Sequence, residues 1–86
     1  MELYFSKLAD KRIANLKIAQ KKRLSKCIRL FKENPYAEEL DNHALRGRWR
    51  GYRSISFGGD WRMIYTEGVD GVITFVDIGT HSQLYG

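Results

Sequence analysis

Cysteine occurs once, at Cys27, so the chain can build neither an internal disulfide nor a thiolate metal cluster, and a reducing compartment is the natural expectation. Histidine occurs twice, at His43 and His81, far apart in the chain and with no second histidine or cysteine at ligand spacing from either, which leaves no recognisable metal motif. The one Gly-Gly pair, Gly58-Gly59, lies between two strand-like runs and leads into no helix, so a glycine-rich nucleotide cradle is missing as well. No cofactor is expected. No apolar run approaches the roughly 20 residues of a membrane-spanning helix. The opening Met1-Glu2-Leu3-Tyr4-Phe5 is charged too early for a secretory signal. These absences point to a cytoplasmic protein with no membrane contact.

What is present suits one small globular domain over residues 1–86, with 43% hydrophobic and 13% aromatic residues, enough to form a core despite the charge. Lysine is missing after Lys32, and that asymmetry is informative. Residues 1–34 hold seven Lys and three Arg against three acids, whereas residues 35–86 hold five Arg against seven acids. The later cations, Arg46, Arg48, Arg50, Arg53 and Arg62, fall within 17 residues. Lysine on a helix gives solubility and diffuse attraction, while clustered arginine suits planar, bidentate contact with phosphate. A polyanionic partner is therefore expected.

Hydrophobic spacing predicts the elements. Leu3 and Phe5 alternate with Glu2 and Tyr4 as in a short strand, and Ser6 is placed to cap a helix over Ser6–Asn15. Leu24, Cys27, Ile28 and Phe31 recur at i, i+3, i+4, i+7, predicting a second helix from Ile18 that stops at Asn34-Pro35. Pro35–Asn42 reads as an acidic loop. Three strands follow: one from Arg46 or Gly51 to Phe57, then Trp61–Glu67, then Val72–Ile78, the last apolar on both faces and so expected in the sheet interior. Short glycine-bearing links make these neighbours antiparallel. The order β-α-α-β-β-β is an α+β fold, two N-terminal helices on one face of a small twisted, mainly antiparallel sheet.

Chemistry concentrates in the second half. Two imidazoles can supply a proton acceptor and a proton donor near neutral pH. Asp60, in the turn after Gly58-Gly59, either satisfies backbone amides or orients an imidazole. Arg46, Arg48 and Arg50 alternate with Gly47, Trp49 and Gly51, which puts all three guanidinium groups on one side if the segment is extended. Trp49, Tyr52, Trp61 and Tyr65 read as packing groups. Tyr85 is the aromatic least readily explained as core and the best suited to stack on a base.

Four ordered stretches, Asn42-His43-Ala44-Leu45-Arg46-Gly47, Gly51-Tyr52-Arg53-Ser54-Ile55, Gly59-Asp60-Trp61-Arg62-Met63-Ile64-Tyr65 and Ile78-Gly79-Thr80-His81-Ser82-Gln83-Leu84-Tyr85, resemble the RelE/ParE superfamily of bacterial toxins, in its YafQ-like branch. The resemblance spans nearly the whole chain and implies a type II toxin–antitoxin toxin that cleaves messenger RNA on the ribosome without a metal. It implies His81 as general acid, His43 and Asp60 sharing the base and orienting roles, Arg62 and Arg53 on the phosphorane charge, and Tyr85 on a base. It further implies a cognate antitoxin, the ribosomal decoding site and messenger RNA as partners. Where the YafQ-like branch has a further histidine and an arginine, this chain has Ser56 and Asp77. Two other functions follow from the same resemblance: a ParE-like toxin that poisons DNA gyrase without cutting RNA, and a catalytically degenerate RNA-binding homologue.

Overall fold

Ser6 opens the first helix as its spacing predicts: its side-chain oxygen accepts the Ala9 N–H at 3.0 Å, and its hydroxyl donates to the Val76 carbonyl at 2.8 Å. The computed structural model describes all residues, 1–86. In chain order the elements are β1 (Leu3–Phe5), α1 (Lys7–Ala14), α2 (Ile18–Glu33), β2 (His43–Ala44), β3 (Arg53–Gly58), β4 (Trp61–Glu67), β5 (Ile73–Thr80) and α3 (His81–Tyr85). One five-stranded sheet has the order β1-β5-β4-β3-β2, with β1 parallel to β5 and every other pair antiparallel. The α+β class, the two N-terminal helices and the mainly antiparallel sheet agree with the sequence reading.

The apolar stripe of α2 explains the layering. Leu24, Cys27 and Phe31 pack on Ile55, Phe57, Met63, Tyr65, Ile73, Phe75 and Ile78 from β3, β4 and β5. Strand side chains alternate between faces, so Met63 and Tyr65 point toward α2 while Arg62 and Ile64 take the other face. Register places Ser54 beside Ile64 and Ser56 beside Arg62. The face away from α2 therefore carries polar groups amid a sheet interior, and β4, rather than the more apolar β5, is the middle strand.

One expectation is corrected, and two short elements are added to the loops. The segment Arg46–Gly51 is not extended: a 3-10 turn runs over Gly47–Trp49, with Gly47 at φ 63° and Gly51 at φ 92°, a left-handed conformation that glycine adopts freely. Arg46, Arg48 and Arg50 consequently do not line one strand face. The Pro35–Asn42 loop contains a 3-10 turn, Glu38–Leu40, pinned by the buried Leu40, and passes into the two-residue strand β2. The stretch after the last strand is the helix α3, and its buried Leu84 closes the sheet face away from α2. No helix is long and apolar enough to cross a membrane.

Candidate functional site

The site is built around Arg62, whose backbone lies mid-strand in β4 and whose side chain is only 11% exposed. A buried guanidinium needs an acceptor for its charge and its N–H groups. Asp41 provides two of them: its carboxylate takes Nη1 at 3.1 Å, and its backbone carbonyl takes Nη2 at 2.9 Å. Asp41 is at φ 46°, ψ 48°, a left-handed conformation that aspartate tolerates better than most residues. Arg62 Nε donates to the hydroxyl oxygen of Ser54, a fully buried residue of β3.

His43 is held by the same loop. Its Nδ1 lies 2.9 Å from the Asp41 carbonyl oxygen and 3.4 Å from Arg62 Nη2. The carbonyl can only accept and the guanidinium can only donate, so the shorter contact assigns the proton to Nδ1. The neutral imidazole then presents an unprotonated Nε2. Pairing of β2 with β3 brings His43 opposite Ser54 and so fixes its distance from Arg62.

His81 and Tyr85 enter from α3, four residues apart on one helix face, with ring centroids 4.7 Å apart in an edge-to-face contact. The helix is secured at both ends. At its start Thr80 and Gln83 form a reciprocal capping box, and the His81 N–H donates to the Asp60 carbonyl at 3.0 Å. At its end the Leu84 carbonyl accepts from Arg48 Nη2 at 3.0 Å and from the Trp49 indole N–H at 3.3 Å. The Tyr85 hydroxyl is hydrogen-bonded to Ser54 Oγ at 3.0 Å. Asp41, His43, Leu45, Arg62, His81 and Tyr85 together line one open cavity of about 400 Å³.

Of the residues singled out from sequence, His43, Arg62, His81 and Tyr85 meet in that cavity. Asp60 does not line it; the exposed turn residue meets the site through its main chain, under the first turn of α3. Arg53 lies away from it: its Nε donates to Asn42 Oδ1 at 2.9 Å and its guanidinium lies over the exposed Tyr36 ring, 5.4 Å from the centroid. Asn42 in turn donates to the Tyr65 hydroxyl and the Pro35 carbonyl, both at 2.8 Å, so Arg53 belongs to a clasp holding the loop. Arg48 is committed to α3, while Arg46 and Arg50 are exposed. Asp77 pairs with Arg12 at 3.2 Å, and Ser56 accepts from the Gly58 N–H, so neither reaches the cavity. No three His, Cys, Asp or Glu side chains converge to hold a metal.

Two site residues escaped the sequence reading. Asp41 stood among the loop acids, and nothing in its neighbours marks it as the partner of an arginine 21 positions on. Ser54 is an ordinary strand serine by type. The helix that carries His81 did have a local signal, since Thr80-x-x-Gln83 is a capping box written in the sequence.

This fold, a five-stranded sheet backed by two N-terminal helices, is shared with solved toxins of the RelE, YoeB and ParE type. A YoeB/ParE toxin from Agrobacterium tumefaciens shares the fold with a TM-score of 0.77 at 19% identity, over 94% of this chain and 99% of that one. The chain belongs to the family described as "Bacterial toxin of type II toxin-antitoxin system, YafQ", whose profile matches residues 2–86, as the resemblance implied. The mRNA interferase toxin YafQ of Escherichia coli (strain K12) is 36% identical over 52 residues, 60% of this chain and 55% of that protein, so the match spans about half of the relative's length. The crystal structure of YafQ from E. coli strain BL21(DE3) superposes over 99% of this chain and 98% of its own, with a TM-score of 0.77 and 27% identity. YafQ is also known in the E. coli DinJ-YafQ toxin-antitoxin complex, at 26% identity and a TM-score of 0.68 over 99% of this chain and 97% of that one.

Proposed function

We propose that this chain is the toxin of a type II toxin–antitoxin pair and acts as a ribosome-dependent, metal-independent messenger-RNA endonuclease. The observation that carries the reading is the convergence, from separate parts of the chain, of two imidazoles, a guanidinium and a phenol on one open cavity. RNA brings its own nucleophile, so the protein need supply only a base, an acid and charge stabilisation.

His43 Nε2 takes the proton of the ribose 2′-hydroxyl as the 2′-oxygen bonds to phosphorus. The imidazolium of His81 gives its proton to the 5′-oxygen as the P–O5′ bond breaks, leaving a 2′,3′-cyclic phosphate and a free 5′-hydroxyl. Three of the five N–H bonds of Arg62 have protein acceptors, so two remain for the non-bridging oxygens. Asp41 does the orienting first expected of Asp60, and Asp60 supports His81 through its main chain. Tyr85 stacks on a base, and the exposed Arg46 and Arg50 contact the flanking backbone. YafQ in its complex with DinJ supports a cognate antitoxin as partner, and messenger RNA in the decoding site is the substrate.

Purified ribosomes, a defined message and primer extension test this reading. Each proton-transfer role is worth ~10²–10⁴-fold in rate. His81→Ala and His43→Ala should each lose cleavage on that scale while still co-sedimenting with ribosomes. Intact message with the wild-type protein, or DNA breaks with messages untouched in expressing cells, would favour a gyrase poison instead.

A further inference from the structure

Ser54 is fully buried at the junction of β3, Arg62 and Tyr85, and its hydroxyl has one proton and two lone pairs to satisfy. Arg62 Nε can only donate, so one lone pair of Ser54 is already spoken for. The bond to Tyr85 joins two hydroxyls and can run in either direction. If Tyr85 donated, Ser54 would accept twice and its own proton would be stranded in a dry interior, since no other acceptor is bonded to it. If Ser54 donates, every buried group is paired, and the Tyr85 proton is released on the side of the cavity that the ring already lines.

We propose that Ser54 is a positioning residue: it accepts from Arg62, donates to the Tyr85 phenol oxygen, and thereby turns the Tyr85 O–H into the cavity as a hydrogen-bond donor to the scissile phosphate. The proposal rests on the ribonuclease reading and deepens it. Arg62 polarises Ser54, Ser54 polarises the phenol, and the chain of donors ends on an anionic oxygen, where each bond strengthens the next. A phenylalanine at position 85 would stack on a base equally well but would end this chain at Ser54. Ser54 touches no substrate. It fixes the directions in which Arg62 and Tyr85 point.

The test is a double-mutant cycle with Ser54→Ala and Tyr85→Phe in single-turnover cleavage on ribosomes programmed with a defined message. Each single variant is expected to slow the cut on the order of ten- to a hundredfold, as removal of a charge-directed hydrogen bond does, with the half-saturating ribosome concentration unchanged. The double variant should be no slower than the slower single one, because both changes cut one chain. Multiplicative losses, or full-rate cleavage by either single variant, overturn the role of Ser54 while leaving the nuclease reading intact. A wild-type protein that leaves the message whole overturns both. Should Ser54→Ala fail to fold on a thermal melt, Tyr85→Phe decides alone: Tyr85 is less buried than Ser54, and full-rate cleavage rules out a phenol donor.

Discussion

At the residue scale the site depends on a loop aspartate. Asp41 has a largely exposed side chain, 69% accessible, yet it neutralises a guanidinium that is nearly enclosed, and its carbonyl fixes the tautomer of His43. Asp41→Ala should cost ~1.5–3 kcal/mol, the range for hydrogen bonds to charged groups, and should abolish cleavage. Asp41→Asn keeps the left-handed backbone and the carbonyl and should retain most of the stability; urea denaturation of both variants checks the ranking. Cys27 gives a second expectation at this scale. Burial pushes its thiol up to about 11 against a smaller lowering by Arg62. Below the ordinary thiol range both folded and unfolded chains hold the proton, so nothing changes there. Above it the unfolded chain releases the proton first, so stability falls as pH rises toward 11. The burial of Tyr65, which raises its phenol, acts in the same direction. The urea midpoint should be lower at pH 10 than at pH 8, and Cys27→Ala should shrink that difference.

At the element scale α3 decides whether His81 and Tyr85 face the cavity. Five residues are too few to hold a helix by their own hydrogen bonds, so the capping box, the Arg48–Trp49 clamp and burial of Leu84 to 1% exposure do so. A Cβ placed on Gly79 would come within 2.8 Å of Gln83 Oε1, the oxygen that caps the Thr80 N–H. Gly79→Ala should therefore loosen the first turn by about the worth of a cap, ~0.5–2 kcal/mol, and reduce cleavage far more than it lowers the urea midpoint. Leu84→Ala should cost ~2–5 kcal/mol and act on both. Spectral overlap of the two variants outside α3, by amide NMR, would distinguish a local loss from general unfolding. A tail that instead stayed ordered in both would mean that the clamp alone suffices.

For the whole molecule, one aromatic knot joins the layers. Phe31 of α2 meets Tyr65 at 5.1 Å and Phe75 at 5.6 Å between ring centroids, which ties the helix to β4 and β5. A domain of this size has about 4–13 kcal/mol of stability, and Phe31→Ala removes ~3–5 of it. The variant should unfold at much lower urea, with helix signal, Cys27 protection and cleavage lost together, since site and core share β3 and β4. Periodicity made this architecture legible: the α2 stripe, the three long strands and their antiparallel links follow from residue spacing alone. The two-residue β2 and the turn at Gly47–Trp49 were not legible, because each owes its shape to partners distant in sequence.

Residue type and spacing by themselves determined the layers, the absence of an internal disulfide and the two histidines as proton-transfer candidates, because these are properties of neighbours along the chain; the family likeness rests on four ordered stretches that resemble known toxins. Only the tertiary structure decided that Asp41 rather than Asp60 lines the cavity, that Arg53 and Arg48 are tied into clasps, and that Ser54 joins Arg62 to Tyr85. Those choices depend on which way a side chain points across a sheet, and strand register, set by long-range pairing, is what fixes that direction.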